Sequence, residues 1–181
     1  LTSKRIYSKI YSNKKRRVFM AKRKNKTLNL AINAISALLG VVAIVMLFVA
    51  SIGINDTDTT YTGLQVTFGY DASIPVIGKV TVFEFSIMNL VSYILVAVGV
   101  LFTALGAMGK GSRFASFIAA GAFIVAGVFF FLMPTYTVIN STATKYLGEL
   151  NNNLCLAAGA IVSAVCAIIA GAAQLCRVLF K

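Results

Sequence analysis

Histidine and tryptophan are absent from this chain, and its 181 residues hold only two prolines, three cysteines and five acidic residues. Each absence excludes something. Without histidine there is no imidazole to act as general base, as zinc ligand or as the middle member of a Ser-His-Asp triad. Cys155, Cys166 and Cys176 fall about one every ten residues rather than in close pairs, so they set up neither a zinc site nor a dithiol redox centre. They read as small apolar side chains. The glycines are scattered through apolar stretches and form no phosphate-cradling loop. We therefore expect no enzyme activity, no catalytic residue, no cofactor and no metal.

Charge is scarce as well. Charged residues make up 12% of the chain and apolar ones 59%, whereas a soluble domain carries about 25% and roughly 45 to 50%. What charge there is has one dominant sign, +12 net, most of it within the first 26 residues. In a soluble protein such an excess points to nucleic acid. Beside long apolar runs it points instead to anionic lipid headgroups, with no nucleic acid as partner.

Those runs are the positive content of the sequence. They extend over about 28–53, 85–108, 114–133 and 154–175, each free of charge along its interior and long enough to cross a hydrocarbon core of roughly 30 Å. The acidic residues Asp56, Asp58, Asp71, Glu84 and Glu149 all lie in the segments after the first and third runs. All Lys and Arg except Lys79 and Lys145 lie in the other segments, including the short Lys110–Arg113 turn. Basic residues near a span are retained on the cytoplasmic side. The expectation is an all-α membrane protein: a four-transmembrane-helix bundle with both termini cytoplasmic, a basic tail over 1–27 and a membrane domain over 28–181. Met20-Ala21-Lys22-Arg23-Lys24 reads as a native bacterial start, which places the protein in a bacterial cell membrane. If residues 1–19 belong to it, Ile6, Tyr7, Ile10 and Tyr11 recur at helical spacing among lysines, a weak interfacial helix set against a plain disordered tail. Ser51-Ile52-Gly53 resembles a signal-peptide cleavage site, but the first run exceeds the 7 to 15 apolar residues of such a signal, so it reads as an anchor.

In lipid, helices associate by close backbone approach and interhelical hydrogen bonds, so small and weakly polar residues at steps of three and four mark the seams. Asn29, Asn33, Ser36 and Gly40 form such a stripe in the first run, and Asn89, Ser92, Gly99, Thr103 and Gly106 in the second. The third offers Ala115, Ala119, Ala122 and Ala126, the fourth Gly159, Ser163, Ala167 and Gly171. A polar pathway lined by the Asn, Ser and Thr of these stripes is the competing reading. The absence of ionisable residues inside any run counts against proton- or ion-coupled transport of the small multidrug exporter kind.

The segment over 54–84 is the longest soluble stretch. Leu64, Val66, Phe68 and Tyr70 alternate with Gly63, Gln65, Thr67 and Gly69, which predicts a strand over 60–70, a turn at 71–73 and a return strand over 74–82. The outcome is a small β-hairpin in the first extracytoplasmic loop. Thr81 and Glu84 fit a capping box opening the second span. Asn55-Asp56-Thr57-Asp58 lacks the Gly and Glu of a Ca²⁺ loop and reads as a turn. Asn55 and Asn140 head glycosylation sequons that matter only in a eukaryotic secretory pathway. A short helix is compatible with Ser141–Leu150 in the second outer segment.

Four spans, both ends inside and a strand-rich first outer loop give an arrangement that resembles claudin-type tetraspan proteins. That family's first loop carries Gly-Leu-Trp and two cysteines, where this chain has Gly63-Leu64-Gln65 and no cysteine, so the resemblance implies architecture and carries over no residue roles. The function expected is that of an accessory or structural component acting through helix–helix and outer-loop association with copies of itself or other membrane proteins. Tyr61, Leu64, Phe68 and Tyr70 are the candidate recognition residues. The alternative is an oligomeric pore-forming or transport protein.

Overall fold

The computed structural model describes residues 27–55, 59–74, 78–108, 113–141, 143–144 and 154–179. The basic tail up to Lys26, residues 56–58, the 109–112 turn and most of the 141–150 stretch lie outside them. In chain order the elements are α1 (Thr27–Phe48), β1 (Ala50–Ile54), β2 (Thr60–Thr62), α2 (Gly63–Phe68), β3 (Tyr70–Ile74), β4 (Gly78–Phe83), α3 (Ile87–Ala107), α4 (Arg113–Phe131), α5 (Met133–Tyr136), β5 (Leu154–Leu156) and α6 (Ala158–Leu179). The structure is mostly helical, with α1, α3, α4 and α6 long and apolar enough to span a membrane, and it adds two small sheets. The all-α expectation was too narrow.

The helices turn their bulky apolar residues outward. Leu38, Leu101, Phe117, Val128 and Ile169 all stand exposed on the bundle's flanks, a surface far more apolar than water tolerates on a monomer. Inward they turn their small residues. Asn33, Ser36, Gly40 and Ala43 of α1 are buried, as are Asn89, Ser92, Val96, Gly99, Thr103 and Gly106 of α3. Ala119, Ala122 and Ala126 of α4 and Gly159, Ser163, Ala167 and Gly171 of α6 are buried too, while Asn29 and Ala115 are half-exposed.

Hydrogen bonds complement this packing unevenly. Ser36 Oγ of α1 donates to the Ala170 carbonyl of α6 at 3.4 Å, and Ser163 Oγ of α6 donates to the Ala43 carbonyl of α1 at 3.1 Å. These two bonds clip α1 to α6. Ser92 and Thr103 instead donate to Met88 and Gly99 carbonyls one turn back in their own helix, which satisfies the hydroxyl without joining helices.

At one end the helices meet a folded cap, here the sheet end; the opposite end, where Thr27, Ala107, Arg113 and Leu179 lie, is the basic end. The cap holds an antiparallel sheet of order β2-β1-β5 and a hairpin of β3 with β4. Several expected boundaries move because of it. The first span stops at Phe48 and Ala50–Ile54 is a strand, paired on one edge with β2 and on the other with β5. Likewise Leu154–Leu156 is a strand and the fourth helix runs from Ala158 to Leu179. Cys155 therefore lies in a strand, its sulfur against Gly53. The third long helix ends at Phe131, after which α5 follows with Pro134 in its first turn, where proline costs no hydrogen bond.

The expected long strand over 60–70 is a three-residue strand followed by a helix. Thr62 and Gln65 form a reciprocal capping box: Gln65 N–H donates to Thr62 Oγ1 at 3.3 Å and Thr62 N–H donates to Gln65 Oε1 at 3.0 Å. Gly63, Val66 and Thr67 are buried, a helical spacing hidden within the period-two alternation. The hairpin is present but displaced: 71–73, expected as a turn, belongs to β3, and β4 begins at Gly78. The Thr81–Glu84 capping box does not form, because strand pairing carries β4 through Phe83. Ser86 caps α3 instead, accepting from Asn89 N–H.

Candidate functional site

The sheet end is where recognisable chemistry gathers. Gly69, with φ +97°, turns the chain from α2 into β3, and a side chain there would stand 3.1 Å from the Phe83 carbonyl oxygen. That close approach brings Phe68 and Tyr70 against the end of β4. Between them lies an open groove of about 330 Å³, lined on one side by Phe68, Gly69, Tyr70 and Asp71 and on the other by Thr81, Phe83, Glu84 and Phe85. Its walls are aromatic, and two carboxylates sit among them.

The floor is fixed from several directions. Glu84 N–H donates to the Val138 carbonyl at 2.9 Å and Asn140 N–H to the Val82 carbonyl at 3.1 Å, so the segment after α5 extends the hairpin as a partial third strand. Glu84 Oε1 accepts from Asn140 Nδ2 at 2.7 Å. Ser86 Oγ donates to the Tyr136 carbonyl at 2.7 Å, and Ser86 N–H to the Thr67 carbonyl at 3.0 Å. Asn89 Nδ2 reaches Thr137 Oγ1 at 3.4 Å, and Thr137 Oγ1 itself donates to the Met133 carbonyl. The groove is thus anchored to α2, α3 and α5 at once.

The four candidate recognition residues divide. Phe68 is 51% exposed and tilted against Phe85 at 6.3 Å, and Leu64 is exposed beside it on α2. Tyr70 lines the groove and packs at 5.8 Å from Tyr61, whose ring stands edge-on to the buried Phe83 at 4.7 Å. Tyr61 is thereby a packing residue, half-buried behind the groove rather than in it. Its burial, and next the nearby Tyr70 phenol, push its pKa above the ordinary 10.0.

Glu84 and Phe85 entered the sequence reading only as a cap and a span start, and Tyr93 did not enter it at all. Tyr93 is buried in α3, edge-on to Phe130 at 4.8 Å, with its hydroxyl beside Gly63 of α2. No sequence signal marked it beyond its being a tyrosine in an apolar run, where a hydroxyl needs a polar neighbour.

No protein-family model, no curated protein and no solved structure matches this chain. Its geometry alone must speak for it. Midway along the bundle the helices pack closely: Phe123 is fully buried between Gly40 and Gly99, Ile168 covers Gly127 and Ile124 covers Gly171. Among the described residues no three His, Cys, Asp or Glu stand close enough together to hold a metal ion. The sheet-end groove can seat an apolar or aromatic group and place a donor or a cation against Asp71 and Glu84.

Arg177 too lies elsewhere than the sequence reading placed it. Counted as lying beyond a fourth span ending at Leu175, it is within α6 and 6% exposed. An ionisable group therefore does stand inside the bundle, near its basic end. Its contacts are described below.

Proposed function

We propose that this chain is a multi-pass protein of a bacterial cell membrane that works by association, using the sheet-end groove and the ledge of Phe68, Leu64 and Phe85 to engage a segment of another membrane protein or of another copy. The observation that carries the reading is the groove itself, where the exposed Phe68 and Phe85 flank Asp71 and Glu84 on a cap anchored to α2, α3 and α5. Aromatic anchors at the centre of a small concave surface are the usual carriers of binding energy. A patch mixing exposed Phe with two carboxylates suits an apolar segment flanked by Lys or Arg.

Orientation follows from the distribution of charge. Arg113 and Arg177 stand at one end and Asp71 and Glu84 at the other, and the sequence segments next to them carry charge of the same sign, which supports cytoplasmic termini and an outward-facing cap. A single cysteine placed at Lys79, exposed on β4, in a background lacking Cys155, Cys166 and Cys176, is expected to react with a membrane-impermeant maleimide in intact cells.

The association reading is tested by photo-crosslinking. A benzoylphenylalanine at Phe68 is expected to capture a defined protein adduct in membranes, and one at Leu101, on the flank of α3, to give none or only lipid. Equal capture at both sites, or solute flux through the purified protein in liposomes, would overturn it.

A further inference from the structure

Arg177, in the last turn of α6, is buried, and one of its nitrogens is held by two neutral acceptors. Nη1 donates to Asn33 Oδ1 of α1 and to Ser116 Oγ of α4, both at 2.7 Å. Gln174, one turn earlier, donates Nε2 to the same Asn33 Oδ1 at 3.1 Å. Gly106 of α3 closes the remaining side, where a Cβ would stand 2.8 Å from Nη1 and 3.1 Å from Asn33 Nδ2. All four long helices thus converge on one cation.

Among the described residues no carboxylate joins the cluster. Every Asp and Glu side chain of the chain lies in the segments between α1 and α3 or between α4 and α6, whose described parts form the sheet end. A buried guanidinium without an anion is strongly disfavoured, more so in a bilayer than in water. Two further donors are buried without an acceptor, Arg177 Nε and Asn33 Nδ2. Nε belongs to the guanidinium edge shared with Nη2, the fork that pairs side by side with two oxygens of a phosphate or carboxylate. Among the described residues, the hydrogen bonds to this guanidinium fall on Nη1.

Ser116 adds a third element, since it lies in the first turn of α4, where the helix dipole favours negative charge. Arg177 also stands two residues from the end of α6. At that depth the apolar spans give way to headgroups.

We propose that the pocket formed by Arg177, Asn33, Gln174, Ser116 and Gly106 binds a phosphate group at the basic end of the bundle, its oxygens on the Nε–Nη2 fork and on Asn33 Nδ2. The phosphate belongs either to an anionic membrane lipid or to a free phosphate ion, and it locks the four helices together at this end. The site stands apart from the sheet-end groove and does not depend on the association reading.

The test is the thermal unfolding midpoint of the full chain purified in a neutral detergent. Three additions are compared at matched ionic strength: phosphatidylglycerol, inorganic phosphate and sodium chloride, with phosphatidylcholine as the lipid control. A saturable rise with phosphatidylglycerol but not with phosphatidylcholine or phosphate assigns the lipid; a rise with inorganic phosphate assigns the free ion. Arg177→Gln, which keeps an amide donor but removes the charge, is expected to weaken the apparent affinity about tenfold or more, the scale of one charge-assisted hydrogen bond. Lys79→Gln, at the far end, is expected to leave it unchanged. A wild-type midpoint that responds to none of the anions, or to sodium chloride as much as to phosphate, overturns the proposal. So does an Arg177→Gln protein whose response equals the wild type. Should Arg177→Gln not fold, Arg177→Lys keeps the charge without the fork and is expected to retain a weakened response.

Discussion

Phe123 of α4 occupies the space that Gly99 of α3 leaves open: a Cβ on Gly99 would stand 2.8 Å from Cε1 of that ring. Gly40 of α1 faces the same ring, with its own Cβ position 2.9 Å away. One phenylalanine thus fits against two glycines on two helices, and being fully buried it has nowhere to move.

Gly99→Ala is therefore expected to destabilise the bundle by about 1–3 kcal/mol, the usual cost of overpacking a close-packed core, despite alanine's better helix propensity. The combination with Phe123→Leu is expected to recover part of that loss, because the two sites share one contact. Gly121→Ala provides the contrast. Nothing lies within 4 Å of its Cβ position, so that variant gains up to about 1 kcal/mol from propensity alone. Unfolding midpoints in detergent, measured by circular dichroism, distinguish the three.

The capping box of α2 predicts a local rather than global effect. Thr62→Ala removes the oxygen that accepts from Gln65 N–H and is expected to cost about 0.5–2 kcal/mol. Limited proteolysis should find the new cleavage within Gly63–Phe68, and Thr62→Ser should restore protection.

How far the sequence could be read follows from these elements. The four long helices were legible because nothing but an apolar helix of twenty-odd residues satisfies its own backbone in lipid. Their ends at the cap were not. Ala50–Ile54 and Leu154–Leu156 are as apolar as the helices they adjoin, and hydropathy does not separate a buried strand from another turn of helix. What makes them strands is pairing across about a hundred residues, Ile52 with Leu156 and Gly53 with Cys155. In 60–70 the period-two pattern was genuine, but the Thr62–Gln65 box and the glycine at 69 decided for a helix. The groove depended on Phe68 meeting Phe85, and the Arg177 cluster on Asn33 lying opposite it. Spacing showed that Gly40 and Gly99 each lie on a seam, yet only the fold shows that both seams meet the same ring of a third helix.

Gly159 tests the joint between membrane and cap. A Cβ there would lie 2.7 Å from the Ala50 carbonyl oxygen and 2.8 Å from Ser51 Oγ, at the start of β1. The first of these is backbone and cannot rotate away. Gly159→Val is expected to push α6 off the sheet at a cost of about 1–3 kcal/mol or more. Cys155 of β5 reports the separation, because its sulfur now packs against Gly53. In a Cys166→Ala, Cys176→Ala background, maleimide labelling of Cys155 should be faster in the valine variant, while Gly121→Ala, where nothing lies within 4 Å, should leave it slow.

Tyr61 gives the cap a pH dependence with a defined sign. Burial first, and then repulsion from a charged Tyr70, raise its pKa above 10.0, so the folded cap holds the phenolic proton more tightly than the unfolded chain does. The stability tied to that proton is complete below the unfolded value near 10.0, and it is lost as pH climbs from there through the folded value. The geometry agrees: the Tyr61 ring is partly covered by Phe83, 4.7 Å away at 84°, and a half-buried phenolate is less well hydrated than one in the unfolded chain. Tyr61→Phe keeps the ring and removes the proton, so its cap is expected to lose less stability above pH 10 than the wild type. Tyrosinate absorbance near 295 nm, followed on raising pH, should give a wild-type-minus-variant difference that titrates above the ordinary phenol range. A wild-type titration in which every tyrosine ionises together at the ordinary value would mean that the Tyr61 ring is not held against Phe83 in the folded cap.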